Sequence, residues 1–313
     1  MTSSVWQVTG AVETAAVIAA AHRLGVLRLL TASPRTATEL ADDLCLDLPA
    51  TSRLLDTLVR LGLLRRDAGG SCAADPAAVH WLERITEAWG TLSDVVRTGI
   101  PMTPADTADG AAALYPILAP QLAAWSAPAA ARLGEMLSPP PGRVLDVGAG
   151  AAPWSIAIAV GNEHTHVTAI DLPAVLPATR AAVASAGLTT RFSYLAGDVF
   201  TTDLPAAAYD LAIVGNVCHL FGPELNRTLF AKLRRSVRPG GRIAIVDMLP
   251  ATDPAEQLAI SRYELGLLLR TSVGRVYPLT AYLTWSTEAG FPGLTPFPLS
   301  SNPPMSLLLS QGA

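Results

Sequence analysis

Asp146, Asp171 and Asp198 each close a short run of β-forming residues: Arg143-Val-Leu-Asp-Val-Gly148, His166-Val-Thr-Ala-Ile-Asp171 and Arg191-Phe-Ser-Tyr-Leu-Ala-Gly-Asp198. Gly148 and Gly150 follow the first acid and, lacking a Cβ, let the backbone turn tightly and come close to a ligand. Asp171 stands 21 positions after Gly150, where a carboxylate can accept both hydroxyls of a nucleoside ribose. Asp198 is placed to reach the amino group of the attached base. Taken singly, each acid also reads as a cap on the helix that follows. Two more residues offer acid–base chemistry. His219 follows a fourth run, Tyr209-Asp-Leu-Ala-Ile-Val-Gly-Asn216, and Asp247 ends a fifth, Arg242-Ile-Ala-Ile-Val-Asp247. A neutral imidazole, with an ordinary pKa of about 6.5, can take the proton of a phenol of pKa about 10. A base held in position contributes about 10²–10⁴-fold, and a carboxylate behind it fixes the tautomer. The plainer reading of His219 is a buried or helix-capping side chain.

These residues need a scaffold, and the rhythm of residues 135–313 supplies one. The five β-rich runs alternate with amphipathic segments near 154–160, 174–186, 224–236 and 255–270. Such alternation predicts a parallel sheet covered by helices on both faces, with ligands beyond the carboxyl ends of the strands. The fold class expected is α/β, a Rossmann-like parallel sheet. Pro139-Pro-Pro141-Gly142 marks its boundary.

The first 90 residues read differently. An apolar stripe from Ala15 through Ile18, Gly25 and Leu29 predicts one helix. Thr36-Ala-Thr-Glu39 has the form of a capping box for a second over Thr38 to Leu44. A third runs from Pro49 to about Leu61, and Leu63–Arg66 with Ser71–Ala73 around Gly69-Gly70 predicts a small hairpin. Helix, helix, helix and wing is a winged-helix order, used for DNA binding through Arg53 and Arg60 or for dimerisation. A formal charge of −4 over 313 residues, with Lys232 the only lysine, gives no footprint for nucleic acid or an anionic membrane. Residues 91–134 read as a helical connector interrupted at Gly99, Pro101, Pro104 and Gly110. The uncharged stretch 111–131 contains Pro116, Pro120 and Pro128, against a membrane span. Three scattered cysteines, Cys45, Cys72 and Cys218, and no secretory signal fit a reduced cytosolic compartment.

Two nucleotide ligands compete for the acid-closed strands. NAD requires a pyrophosphate cradle, Gly-x-Gly-x-x-Gly, and here the last position is Pro153. S-adenosylmethionine (SAM) has no phosphate and carries an ammonium and a sulfonium, which suits a rim bearing Asp146. SAM is therefore the expected cofactor. Its sulfonium is the electrophile, so no metal is required. His164 and His166 lack the further ligands of a zinc site.

The second half resembles the class I SAM-dependent methyltransferases. The whole chain resembles the two-domain small-molecule O-methyltransferases, among them plant caffeate-type enzymes and bacterial enzymes that tailor polyketides and antibiotics. The resemblance rests on Asp146-Val-Gly-Ala-Gly150, Asp171-Leu-Pro-Ala-Val175, Gly197-Asp-Val-Phe200, Asn216-Val-Cys-His219, Leu233-Arg-Arg-Ser-Val-Arg-Pro-Gly-Gly241, Val246-Asp-Met-Leu-Pro250 and Glu288-Ala-Gly-Phe291. It implies His219 as general base and Asp247 as its orienting acid. A donor cleft is implied at Asp146, Gly148, Gly150, Asp171 and Leu172, continued by Asp198, Val199, Phe200 and Gly215. It also implies an acceptor pocket with Met102, Trp125, Met248, Tyr263 and Leu267, and Tyr115 and Trp285 as further candidates. A homodimer through the N-terminal domain and a small-molecule acceptor follow from the same resemblance. The family's His-Asp-Trp is His219-Leu220-Phe221 here, and a second orienting glutamate of the plant enzymes falls near Val276. Methylation of nitrogen or carbon, or use of SAM without methyl transfer, is the alternative within the fold, and a SAM-sensing winged-helix regulator the alternative outside enzymes.

Overall fold

The computed structural model describes residues 2–291 and 293–311. The chain divides into two compact units, Met1–Thr91 and Leu92–Ala313, so residues 92–134 group with the C-terminal sheet.

The N-terminal unit comprises α1 (Thr2–Arg23), α2 (Val26–Ala32), α3 (Ala37–Leu44), α4 (Leu48–Arg60), the antiparallel pair β1 (Leu64–Arg66) and β2 (Cys72–Ala74), and α5 (Pro76–Gly90). The single helix expected over the first stripe is two. Gly25 takes a left-handed φ of 77° and begins α2, because a residue without Cβ adopts that turn at little cost. The capping box is formed, with Thr36 Oγ1 accepting from Glu39 N and the Glu39 carboxylate accepting from Thr36 N. Leu27, Leu30, Leu40, Leu55 and Leu58 fill the core of this unit.

The C-terminal unit opens with α6 (Leu92–Thr98) and α7 (Ala108–Met136). Gly110 was expected to interrupt this region but lies in the first turn of α7. Thr107 Oγ1 accepts its N–H, and a Cβ there would stand 2.1 Å from Pro104 O, so glycine permits the approach. The helix continues through Pro116, Pro120 and Pro128. Among the described residues no single helix is long and apolar enough to cross a membrane.

A seven-stranded sheet follows: β3 (Arg143–Val147), β4 (His166–Asp171), β5 (Phe192–Ala196), β6 (Tyr209–Gly215), β7 (Val237–Asp247), β8 (Thr295–Ser301) and β9 (Pro304–Leu309), in the order β5-β4-β3-β6-β7-β9-β8. The first five strands are parallel; β9 pairs antiparallel with β7 and β8. This closing hairpin has no counterpart among the five expected strands. Pro296 and Pro298 mask β8, and proline is tolerated there because β8 is an edge. Alternate residues face opposite sides. Val144, Leu211, Ile213 and Val246 pack with Leu133 of α7 and with Trp154 and Ile158 of α8 (Pro153–Gly161). Leu145, Ala212, Val214 and Ile245 pack with Phe230 of α10 (Pro223–Ser236) and Trp285 of α12 (Leu279–Ala289). Remaining helices are α9 (Leu176–Ser185) and α11 (Pro254–Arg270).

The strand order reverses between β3 and β6, the place beyond whose carboxyl ends open α/β sheets bind their ligands. Gly215, at the end of β6, faces the Trp154 indole, where an added Cβ would lie 2.3 Å from the ring. Its glycine is therefore required by packing. Gly215→Ala should destabilise the protein by about 1–3 kcal/mol, the usual cost of overpacking a core. A lowered urea midpoint checks this, and an unchanged midpoint contradicts it.

Candidate active site

The loop after β3 is fixed at both ends. Gly148 N and Ala149 N donate to Ile170 O of β4, and Thr179 Oγ1 of α9 donates to Gly150 O. Gly148 and Gly150 take left-handed φ of 62° and 57°. A Cβ on Gly148 would lie 2.7 Å from Val217 Cγ2, so the loops after β3 and β6 touch there. On Gly150 it would stand 3.5 Å from Ala119 Cβ, which places the small face of α7 against the same loop.

Asp146 does not stand on the rim, as expected, but beneath it: it is 1% exposed and accepts from Ser155 Oγ of α8 at 2.5 Å. Burial pushes its carboxyl up to about 7, against the downward pull of Ser155. A folded-state pKa raised in this way means that Asp146 favours the folded state most at low pH. That contribution is lost as the pH climbs out of the ordinary carboxylate range through about 7.

Asp171 ties two loops together. Its Oδ2 accepts from Gly150 N and its Oδ1 from Leu172 N, both at 2.7 Å. Burial raises its pKa, and those two backbone donors oppose the rise. Each oxygen has a second lone pair to offer. Asp171 pairs in register with Ala196, so Asp198, two residues beyond Ala196, is its neighbour across adjacent strand ends. Asp198 Oδ1 accepts from Phe200 N, a capping contact. Val199 and Phe200 pack against the core on the α10 side, and Lys232 Nζ donates to Phe200 O, giving the only lysine a structural task. Acids at three adjacent strand ends, with glycine backbone between, suit the hydroxyls and cationic groups of an adenosyl amino acid. They offer no cradle for a pyrophosphate.

A 3-10 turn, Cys218–Leu220, follows β6 and carries His219, which is 2% exposed. Its Nδ1 lies 2.7 Å from Asp247 Oδ1, at the end of β7. Asp247 also accepts from Met248 N at 2.9 Å and, through Oδ2, from the Tyr282 hydroxyl of α12 at 2.9 Å. Because a carboxylate only accepts, Nδ1 carries the hydrogen and Nε2 the free electron pair of the neutral ring. Nε2 meets the Tyr263 hydroxyl of α11 at 2.8 Å. Burial first, and then Asp247, drives the Cys218 thiol well above its usual range, which leaves it unreactive beside the histidine.

Around this pair gather Leu220, Met248, Ile260, Leu267 and Val276, with Tyr115, Phe221 and Tyr263 packed against them. Tyr115 also joins the second cluster, with Ala119, Ala151, Val175 and Leu172, beside the glycine loop. It therefore links the acid-closed strand ends to the histidine. Of the expected pocket residues, Met248, Tyr263 and Leu267 come together. Met102 and Trp125 do not: they are 52% and 43% exposed, Met102 on the loop before α7 and Trp125 on a solvent side of that helix. Trp285 is core, meeting Tyr277, Tyr282 and Phe230 edge to face. Ser155, Tyr282 and Arg270 escaped the sequence reading. Ser155 lies nine positions after Asp146 and faces it across the first turn of α8. Tyr282 and Arg270 lie outside the motifs that the sequence offers.

This architecture is that of the class I SAM-dependent methyltransferases. Residues 137–292 match the O-methyltransferase domain and residues 6–84 the O-methyltransferase dimerisation domain. The chain belongs to the two-domain O-methyltransferase family. It is 27% identical to the tetracenomycin polyketide synthesis 8-O-methyl transferase TcmO of Streptomyces glaucescens, over 87% of this chain and 86% of that protein. It is 28% identical to the N,N-dimethyltransferase OxyT of Streptomyces rimosus, over 80% and 79%. Human N-acetylserotonin methyltransferase, solved in complex with SAM, superposes with a TM-score of 0.74 at 21% identity, covering 99% of this chain and 96% of that one.

Proposed function

We propose that the protein methylates a hydroxyl of a small aromatic or polyketide-type molecule in secondary metabolism, with His219 as general base and Asp247 as its orienting acid. The observation that carries this reading is the buried His219–Asp247 pair, joined through Tyr115 to the acid-closed strand ends. SAM, when bound, supplies an electrophilic methyl group. Asp171 is the residue to hold the ribose hydroxyls, with Leu172, Val199, Phe200 and Asp198 around the base and the Gly148–Gly150 backbone beneath. The chain's own work is to hold the acceptor in line, exclude water and remove one proton. Met248, Leu267 and Tyr263 give the acceptor apolar walls. The test is conversion of SAM to S-adenosylhomocysteine with phenolic acceptors, and a product heavier by one methylene with an O–CH3 group. Retention of the SAM methyl would refute it.

Nitrogen methylation is a second reading, favoured by the apolar, buried Val276 where plant enzymes carry glutamate and by the likeness to OxyT. An amine presents its own electron pair and needs less help from a base. NMR location of the new methyl on nitrogen would establish it.

Asp146 gives this reading a proton signature. A cationic donor bound beside a carboxyl poised at about 7 lowers its pKa, so SAM binding near neutral pH should release protons. Calorimetry in buffers of different ionisation enthalpy measures the release. Asp146→Asn should abolish it, and equal release in the variant would remove Asp146 from the cleft.

The N-terminal 90 residues serve homodimerisation in this account. On α1, Val5, Val8 and Val12 recur at helical spacing with Trp6 alongside, and all are more than 60% exposed. Such a stripe is the surface a partner helix covers.

A further inference from the structure

The His219–Asp247 pair is closed off from the pocket by one side chain. Tyr263 presents its hydroxyl to His219 Nε2 at 2.8 Å, and the two rings meet edge to face with centroids 5.3 Å apart. Nδ1 is already committed to Asp247, so both nitrogens of the imidazole are engaged. With the histidine 2% exposed, no open face of the ring remains for an acceptor. Tyr263 is itself held from several sides. The Arg270 guanidinium lies over its ring, 5.2 Å from the centroid, and Tyr115 and Leu267 pack around it. Burial raises the Tyr263 phenol pKa, and Arg270 is the largest influence opposing that rise. No ion pair occupies Arg270 among the described residues, so its charge acts on the tyrosines beside it.

We propose that Tyr263 is a catalytic residue that relays the acceptor's proton to His219, with Arg270 as its positioning residue. This rests on His219 being the general base. The acceptor hydroxyl gives its proton to Tyr263 Oη while Tyr263 passes its own to His219 Nε2. The acceptor oxygen uses the freed electron pair to form the O–CH3 bond, and the C–S pair stays on sulfur. The imidazolium left behind is paired with Asp247, whose other oxygen is held by Tyr282. Release of that proton through the same hydroxyl resets the ring. Charge that builds on Tyr263 Oη during the transfer is balanced by Arg270. The titratable and charged groups that face this chain of bonds are Asp247 on β7, Tyr282 on α12, Tyr115 on α7, Arg270 on α11 and Cys218 on the turn itself.

The test compares Tyr263→Phe, His219→Ala and the double variant in the full-length protein, with SAM as donor and alizarin as the phenolic probe. The relay predicts that Tyr263→Phe lowers kcat about 100-fold while the KM for SAM and the SAM-induced rise in melting temperature stay unchanged. The double variant should be no slower than His219→Ala, because the two act as one unit. Arg270→Met should slow turnover as well, and Arg270→Lys should restore most of it. A normal or faster Tyr263→Phe enzyme beside a slow His219→Ala enzyme overturns the relay: the hydroxyl would then only be occupying the acceptor's place. Normal rates in both would instead refute His219 as base. Nitrogen-15 NMR of the ring supplies a readout independent of turnover. Nε2 should accept a hydrogen bond that vanishes in Tyr263→Phe; a proton resident on Nε2 contradicts the relay.

Discussion

His219→Ala should slow methyl transfer by about 10²–10⁴-fold, the range a positioned general base supplies, while SAM affinity stays near that of the wild type. The split between rate and affinity is the informative part. His219 sits after β6 among Leu220, Met248 and Leu267, whereas the residues placed to hold the donor follow β3, β4 and β5. Losing the imidazole removes a proton acceptor and leaves in place the residues proposed to hold the donor. The variant also leaves Asp247 buried with two donors in place of three, Met248 N and the Tyr282 hydroxyl. Some stability is lost for that reason, so rates should be read well below the melting temperature. Single-turnover measurement with saturating SAM and a phenolic acceptor checks the prediction. A variant as fast as the wild type would leave His219 a structural residue that happens to be buried beside an aspartate.

Asp171→Ala should weaken SAM binding by at least about 100-fold, the equivalent of ~2.7 kcal/mol. Two contributions act in the same direction. A carboxylate that accepts two ribose hydroxyls contributes about 1.5–3 kcal/mol for each charged hydrogen bond. The same carboxylate also holds the cleft's shape, since Gly150 N and Leu172 N both donate to it. Without it the loops after β3 and β4 are no longer tied to one another. Asp171→Asn separates the two effects: the amide oxygen can still accept from one backbone donor, so the loop is partly restored while the charge is lost. Calorimetric titration of both variants with S-adenosylhomocysteine measures the difference. Equal affinity in all three proteins would show that Asp171 serves the loops alone.

Much of this site is legible in the sequence because strand ends announce themselves. A β-rich run that stops at Asp146-Val-Gly148 or Asp171-Leu-Pro173 states both the strand and which residues stand at its carboxyl end, since parallel strands present those ends on one side of the sheet. Asp247 and His219 were visible for the same reason. What was hidden depends on side chains that arrive from helices. Arg270 and Tyr263 sit on α11 and Tyr282 on α12, and nothing in their spacing tells which turn of a helix faces the pocket. Tyr263 was expected to be an apolar wall, and its hydroxyl meets His219 Nε2 at 2.8 Å. Met102 and Trp125 were expected in the pocket from the family resemblance and their placement, but here both side chains are exposed, as large apolar residues often are. Asp146 shows the opposite error. Its position next to the glycine loop suggested a rim, but β3 lies inside the sheet between β4 and β6, and the carboxylate is buried against Ser155 of α8. The β8–β9 hairpin was missed because prolines in an edge strand look like a loop.

A crystal structure of the protein soaked with S-adenosylhomocysteine tests the central claim most directly. The ribose hydroxyls should lie on the Asp171 carboxylate, the adenine near Asp198, and the sulfur toward the side that holds Tyr263 and His219. Density for the ligand elsewhere on the molecule, with Asp171 still bonded only to Gly150 and Leu172, would contradict it.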